Sequence, residues 1–136
     1  MNTRAKGDIG ENIACDFLIR QGFTILNRNY RKIFGEIDIV ARENGSRENM
    51  ILHFFEVKSI YCLFDHKGPV YGHRPEENVT RLKYKRVGRA IECYLNQYFR
   101  NIYGTADVPF QFHVLSVYID KYSNENRVEW FRNIVL

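Results

Sequence analysis

Only three cysteines occur in the 136-residue chain, Cys15, Cys62 and Cys93, widely spread and without any Cys-x-x-Cys spacing. An odd, scattered set argues against a disulfide framework or a zinc knuckle and predicts reduced thiols that mostly fill core. No apolar run approaches the roughly 20 residues that a bilayer span requires, so no membrane partner is expected. Met1-Asn2-Thr3-Arg4-Ala5-Lys6-Gly7 lacks the apolar stretch of a signal peptide, which makes a cytoplasmic location the expectation. The histidines, His53, His66, His73 and His113, show no His-Glu-x-x-His pairing, so a zinc site is not expected. Gly7, Gly10, Gly22 and Gly35 never assemble into a phosphate-binding loop after a strand, and there is no Gly-x-Ser-x-Gly elbow. ATPase and acyl-transfer chemistries therefore drop out. Trp130 is the lone tryptophan, and it and the tyrosines are assigned chiefly to packing.

What is present describes one domain over residues 1–136, with residues 1–7 as a flexible basic arm. Hydrophobic residues make up 45% and charged residues 26%, the balance of a soluble globular protein, and ten Phe with nine Tyr predict a core rich in rings. The net charge of +4 permits an anionic partner without demanding one. Its distribution says more. Between Arg74 and Arg100 seven basic residues stand against three acids, a surplus equal to that of the whole chain. Such a stretch is either an ordinary solvated helix face or a phosphate-tracking patch.

From Asp8, the apolar residues Ile9, Ile13, Ala14, Phe17 and Leu18 recur at helical spacing, and Gly22 follows where the helix would stop. Asp8 and Glu11 resemble a capping box, which gives Glu11 a purely structural explanation. Phe23-Thr24-Ile25-Leu26 predicts a strand, followed by a polar, basic segment over residues 27–32. Residues 60–75 read as a long loop flanking a substrate. Thr80 is the expected N-cap of a helix over roughly residues 81–99, with Leu82, Val87, Ala90, Ile91, Tyr94, Leu95 and Tyr98 on one face. Residues 110–119 form a long strand and 127–131 a shorter partner to it. The order α-β-β-β-α-β-β predicts an α/β fold, a central mixed sheet flanked by two main helices.

Two runs carry the chemistry. Gly35-Glu36-Ile37-Asp38-Ile39-Val40 and Ile51-Leu52-His53-Phe54-Phe55-Glu56-Val57-Lys58-Ser59 are strand-like, yet hold acids among apolar neighbours. With side chains alternating faces, Glu36 shares a face with Asp38, and Glu56 shares one with Lys58. Charges in that setting are unfavourable unless paired, hydrated or metal-bound. If the runs pair across the polar 43–49 loop, Asp38 and Glu56 come within reach of one hard cation, Mg²⁺ or Mn²⁺. Lys58 then projects to the same place, where its ammonium could hold a phosphate oxygen or offset transition-state charge. His53 falls on the other face of its strand and is expected to be structural.

Gly-Glu-Ile-Asp followed by Phe-Glu-Val-Lys resembles the active-site signature of the PD-(D/E)XK nuclease superfamily, which includes restriction endonucleases and archaeal Holliday-junction resolvases. More narrowly, the chain resembles the small bacterial YraN-like family. The further landmarks are Gly10-Glu11, Asn29-Tyr30-Arg31, Pro75-Glu76-Glu77-Asn78-Val79-Thr80 with Lys83, and Tyr94-Leu95. The resemblance implies a restriction-endonuclease-like core and Mg²⁺- or Mn²⁺-dependent endonuclease activity on DNA, including branched or damaged DNA. It makes Asp38 and Glu56 metal ligands, with the Val57 carbonyl as a further one. Lys58 becomes the catalytic lysine, and Glu11 an accessory carboxylate able to support a second ion. Lys83 would face substrate phosphate, joined by Arg81, Lys85 and Arg86. Many members of the superfamily cut two strands as homodimers, although no dimer surface is legible here. Ser59-Ile60 departs from the usual Thr-Arg, removing one phosphate contact, and His113 stands where an Asp is usual. The alternatives are a nucleic-acid-binding module of the same fold without hydrolysis, and a protein-interaction adaptor whose acids form surface ion pairs.

Overall fold

The computed structural model describes residues 3–45, 50–70, 81–99 and 108–136, with side chains from Asp8 onward. In chain order the elements are α1 (Thr3–Arg20), β1 (Phe23–Lys32), β2 (Gly35–Glu43), β3 (Leu52–Cys62), β4 (Phe64–Asp65), β5 (Gly68–Pro69), α2 (Arg81–Tyr98), β6 (Phe110–Asp120) and β7 (Asn126–Phe131). Five of the strands form one mixed sheet in the order β1-β2-β3-β6-β7, flanked by the two helices, as the order of elements in the sequence predicts. β3 and β6 pair in parallel over Leu52–Cys62 and Phe110–Asp120, while the other neighbours in the sheet are antiparallel. A parallel pair cannot be joined by a tight hairpin, and α2 lies between these two in the chain.

The central strands are buried on both sides, so their alternation divides the core in two. Leu52, Phe54, Phe112 and Val114 pack with Val87, Ala90, Ile91 and Tyr94 of α2. Phe55, Leu115 and Val117 pack with Ala14, Cys15 and Leu18 of α1. Each fully buried ring or branched side chain contributes about 1.5–3 kcal/mol of transfer free energy. No helix among the described residues is long and apolar enough to cross a membrane.

Three expectations change. Residues 3–7 are not a frayed arm, because α1 begins at Thr3. Asp8 therefore lies inside the helix and cannot be its N-cap, which removes the capping-box explanation of Glu11. Gly7 and Gly10 disguise the helix because glycine lowers local propensity. At Gly10 the reason for glycine is a close approach, since a Cβ there would run into the side chain of Ser59 on β3. β1 continues through the polar 27–32 segment, held by main-chain pairing to β2. A register shift between Ile25 and Asn27, with Asn29 at φ 54°, breaks the alternation that would have marked it. Finally, residues 60–70 are not structureless: β3 runs to Cys62, and β4 pairs with β5 in a small ribbon. Thr80, Arg74, Glu76, Glu77, Arg100 and residues 46–49, 71–75 and 101–107 lie outside the described residues.

Candidate metal and phosphate site

The β2–β3 ladder pairs Arg42 with Leu52 and ends at Ile39 with Phe55. Asp38 and Glu56 are the next positions in that register, at the point where pairing has stopped. The Val57 N–H donates instead to Asp38 Oδ2 at 2.7 Å, so a carboxylate replaces a main-chain acceptor. Burial pushes the Asp38 carboxyl up to about 7, and the negative charges of Glu56, Glu36 and Glu11 push the same way, against the Val57 hydrogen bond.

Glu56 is buried, and one of its oxygens carries two cations. Lys58 Nζ lies 3.5 Å from Glu56 Oε1, and Lys83 Nζ of α2 forms an ion pair with that same oxygen. The other oxygen, Oε2, is buried and has no hydrogen-bond partner among the described residues. Leaving a buried acceptor unpaired costs about 1–3 kcal/mol. Burial lowers the Lys58 pKa, and the neighbouring Lys83 lowers it further. Burial also lowers that of Lys83, but its bond to Glu56 and the nearby negative charge outweigh this and leave it raised.

A cavity of about 340 Å³ opens here, with Gly35, Asp38, Glu56, Lys83, Arg86 and Val87 in its wall. Lys32, Ile33, Phe34, Glu36 and Leu82 also line it. At Gly35 a Cβ would collide with the main-chain carbonyl of Arg86, so the start of β2 sits directly against α2. Asp38, Glu56 and Lys58 are thus brought together, and Lys83, expected to face substrate phosphate, joins them as an ion-pair partner of Glu56. Arg86 joins them, whereas Arg81 and Lys85 line a separate cavity with Tyr84, Gly88, Val135 and Leu136.

Glu11 stands apart. It is buried on α1, and Arg28 Nε donates to its Oε1 at 2.9 Å while Arg28 Nη2 donates to Asn12 Oδ1 at 2.7 Å. Its charge reaches Asp38, but among the described residues no group of three or more His, Cys, Asp or Glu side chains is arranged to hold a metal ion. Any cation would take part of its shell from water or a ligand. That suits a hard ion that keeps several waters. Arg28 escapes the sequence because its partners Glu11 and Asn12 are distant in the chain, and Lys32 because only the fold brings the β1–β2 turn to the cavity.

On the opposite face of the sheet, His53 and His113 form a second polar cluster. The Asn133 N–H donates to His113 Nδ1 at 3.1 Å, which fixes the His113 proton on Nε2 when the ring is neutral. That Nε2–H donates to His53 Nδ1 at 2.9 Å, leaving the His53 proton on Nε2, 3.9 Å from Glu43 Oε1. Burial drives the His113 pKa down to about 4 and lowers that of His53. The structural assignment of His53 agrees with this geometry, and His113 becomes its partner.

The family model described as "Uncharacterised protein family UPF0102" matches residues 10–117, a span from Gly10 on α1 to Val117 on β6. The chain is 40% identical over 94 residues to a UPF0102 protein of Helicobacter pylori (strain HPAG1), covering 69% of each chain. It is 40% identical over 95 residues to a UPF0102 protein of Helicobacter hepaticus, covering 70% of this chain and 73% of the relative. A UPF0102 protein of Clostridium novyi (strain NT) is 33% identical over 129 residues, covering 93% of this chain and 92% of its own length. This protein, with its paired acids at the parting of β2 and β3, belongs to the UPF0102, or YraN-like, family.

Proposed function

We propose that the protein is a metal-dependent endonuclease of the PD-(D/E)XK type, hydrolysing phosphodiester bonds in DNA with Mg²⁺ or Mn²⁺. The observation that carries this reading is the buried Glu56 Oε2, without a partner among the described residues, beside Asp38 where two strands separate around a cavity rimmed by cations. Native structures rarely leave such an acceptor unused. Asp38 and Glu56 would hold the ion, with the Val57 carbonyl as a further ligand. When bound, the ion supplies Lewis acidity toward a phosphate oxygen and acidifies a water molecule.

The remaining roles belong to the chain itself. The Val57 N–H fixes the Asp38 carboxylate in place. Lys58, already next to Glu56, offsets negative charge that builds on the phosphate as water adds and the ester P–O bond breaks. Lys83 and Arg86 stand at the cavity to take substrate phosphate oxygens. Glu11, held by Arg28, supports the site through its charge on Asp38 or, once released, through a second ion.

The Lys83–Glu56 ion pair favours a second reading, in which an internal cation satisfies the carboxylate and the protein binds DNA without cutting it. Calorimetric titration with Mn²⁺ and Mg²⁺ separates the two. Saturable binding that Asp38→Ala abolishes, with Mg²⁺-dependent cleavage of linear, nicked, flapped or four-way DNA that Lys58→Ala removes, is the expected result. Retained DNA binding with neither metal binding nor product would establish the binding module instead.

A further inference from the structure

Ile33 is 108% exposed at the β1–β2 turn, beside Phe34 at 36%. Turns ordinarily use small polar residues, glycine or proline, and neither residue is needed to make this one. Leu82, 57% exposed in the first turn of α2, approaches the same place from another element. All three line the cavity that contains Asp38 and Glu56. The turn is also held in position, because Gly35 abuts the Arg86 carbonyl with no room for a side chain. An exposed apolar tip is thus fixed at the mouth of a charged site.

The surrounding charge indicates what would cover it. Lys32, Lys83 and Arg86 line the cavity alongside the apolar residues, while the nearby exposed carboxylate of Glu36 is engaged by Arg31 at 3.5 Å. A protein or lipid partner would call for a wider apolar face. Apolar side chains set among phosphate-binding cations match nucleic acid, the cations meeting the backbone and the apolar groups meeting unstacked base faces.

We propose that Ile33, with Phe34 and Leu82, is a wedge that packs on bases left unpaired beside the phosphate at Asp38 and Glu56. The site would thereby select DNA containing a nick, flap or branch over continuous duplex. This rests on the DNA reading of the site, but not on its hydrolytic activity.

The test measures binding of the full chain in EDTA, by fluorescence anisotropy, to four-way, flapped and continuous duplex DNA of equal length. 2-Aminopurine placed at the branch reports unstacking. The wild-type protein is expected to prefer branched over continuous DNA by about tenfold and to raise the 2-aminopurine signal. Ile33→Ala, at a fully exposed position, should remove most of that preference and the fluorescence rise while leaving affinity for duplex unchanged. Equal affinity of the wild type for all three DNAs would overturn the proposal, as would an unaltered preference and signal in Ile33→Ala. Mg²⁺-dependent cleavage alongside either result would sink the wedge and leave the hydrolytic reading standing. Ile33-dependent preference without cleavage would do the reverse, and no binding to any DNA would remove both.

Discussion

The two faces of β3 bury ionisable groups only three residues apart, and they treat them in opposite ways. His53 and His113, against the α1 side, are paired: the Asn133 N–H donates to His113, His113 donates to His53, and Glu43 lies 3.9 Å beyond. Asp38, Glu56, Lys58 and Lys83, against the α2 side, are left unbalanced, with two ammonium groups on one Glu56 oxygen and, among the described residues, no partner on the other. A satisfied buried network specifies the fold, whereas an unsatisfied one raises the energy of the native state. The difference sets a paired cluster against one whose buried carboxylate keeps an acceptor unused among the described residues, and the proposed metal site rests on that contrast.

The largest contrast lies in activity. Lys58→Ala is expected to reduce Mg²⁺-dependent cleavage by about 10²–10³-fold, in keeping with loss of a transition-state charge partner. His113→Ala should leave the rate per folded molecule unchanged. Single-turnover assays on both variants check this, and equal losses would erase the distinction between the faces.

Stability should show the converse. Truncating the His113 ring leaves a cavity and orphans the Asn133 N–H, so His113→Ala should lower unfolding free energy by about 3 kcal/mol. Asp38→Asn should raise it by about 2 kcal/mol at pH 8, because it removes a carboxylate that the fold disfavours. Chemical denaturation of each variant against the wild type provides the measurement.

The pH dependence sharpens this further, since the two sites carry slopes of opposite sign. His113 has a folded pKa of about 4, below its ordinary 6.5, so the native state binds fewer protons than the unfolded chain in between. Its contribution is complete above 6.5 and is lost as pH falls toward 4. Asp38 has a folded pKa of about 7, above its ordinary 3.8, so the native state binds more protons. Its acid form is tolerated at low pH, and stability is lost as pH rises from near 4 through 7. The gain from Asp38→Asn should therefore vanish at pH 4, and a gain independent of pH would show that ionisation of Asp38 is not its source. Metal affinity should rise with pH through about 7, because Asp38 must release its proton to solvent before its carboxylate can hold the ion.

The smallest effect concerns the rim. Arg86→Ala should weaken DNA binding less than about tenfold and reduce the slope of log affinity against log salt by about one. An unchanged slope would place phosphate elsewhere.

Much of this was legible in the chain because it is written in local contrast. Acids inside apolar strand runs mark Asp38 and Glu56, alternation puts Lys58 beside Glu56, and helical spacing locates Val87, Ala90, Ile91 and Tyr94 on the buried face of α2. Pairings between distant segments were not legible. Nothing near Arg28 announces Glu11, nothing near His53 announces His113 sixty residues later, and Lys83 looks like a substrate contact until α2 sets it on Glu56. The start of α1 and the second half of β1 were hidden for another reason. There, tertiary packing and main-chain pairing outweigh sequences with weak intrinsic preference.

The early parting of β2 from β3 has a consequence of its own. Had the two strands stayed zipped for another rung, the Val57 amide would have been spent on a neighbouring carbonyl and the aspartate left without that donor. Ending the seam at Ile39 and Phe55 converts the fork of the sheet into a receptacle with Asp38 and Glu56 in its wall. A substitution that lengthened the seam would shut the receptacle without altering any of the charged residues around it.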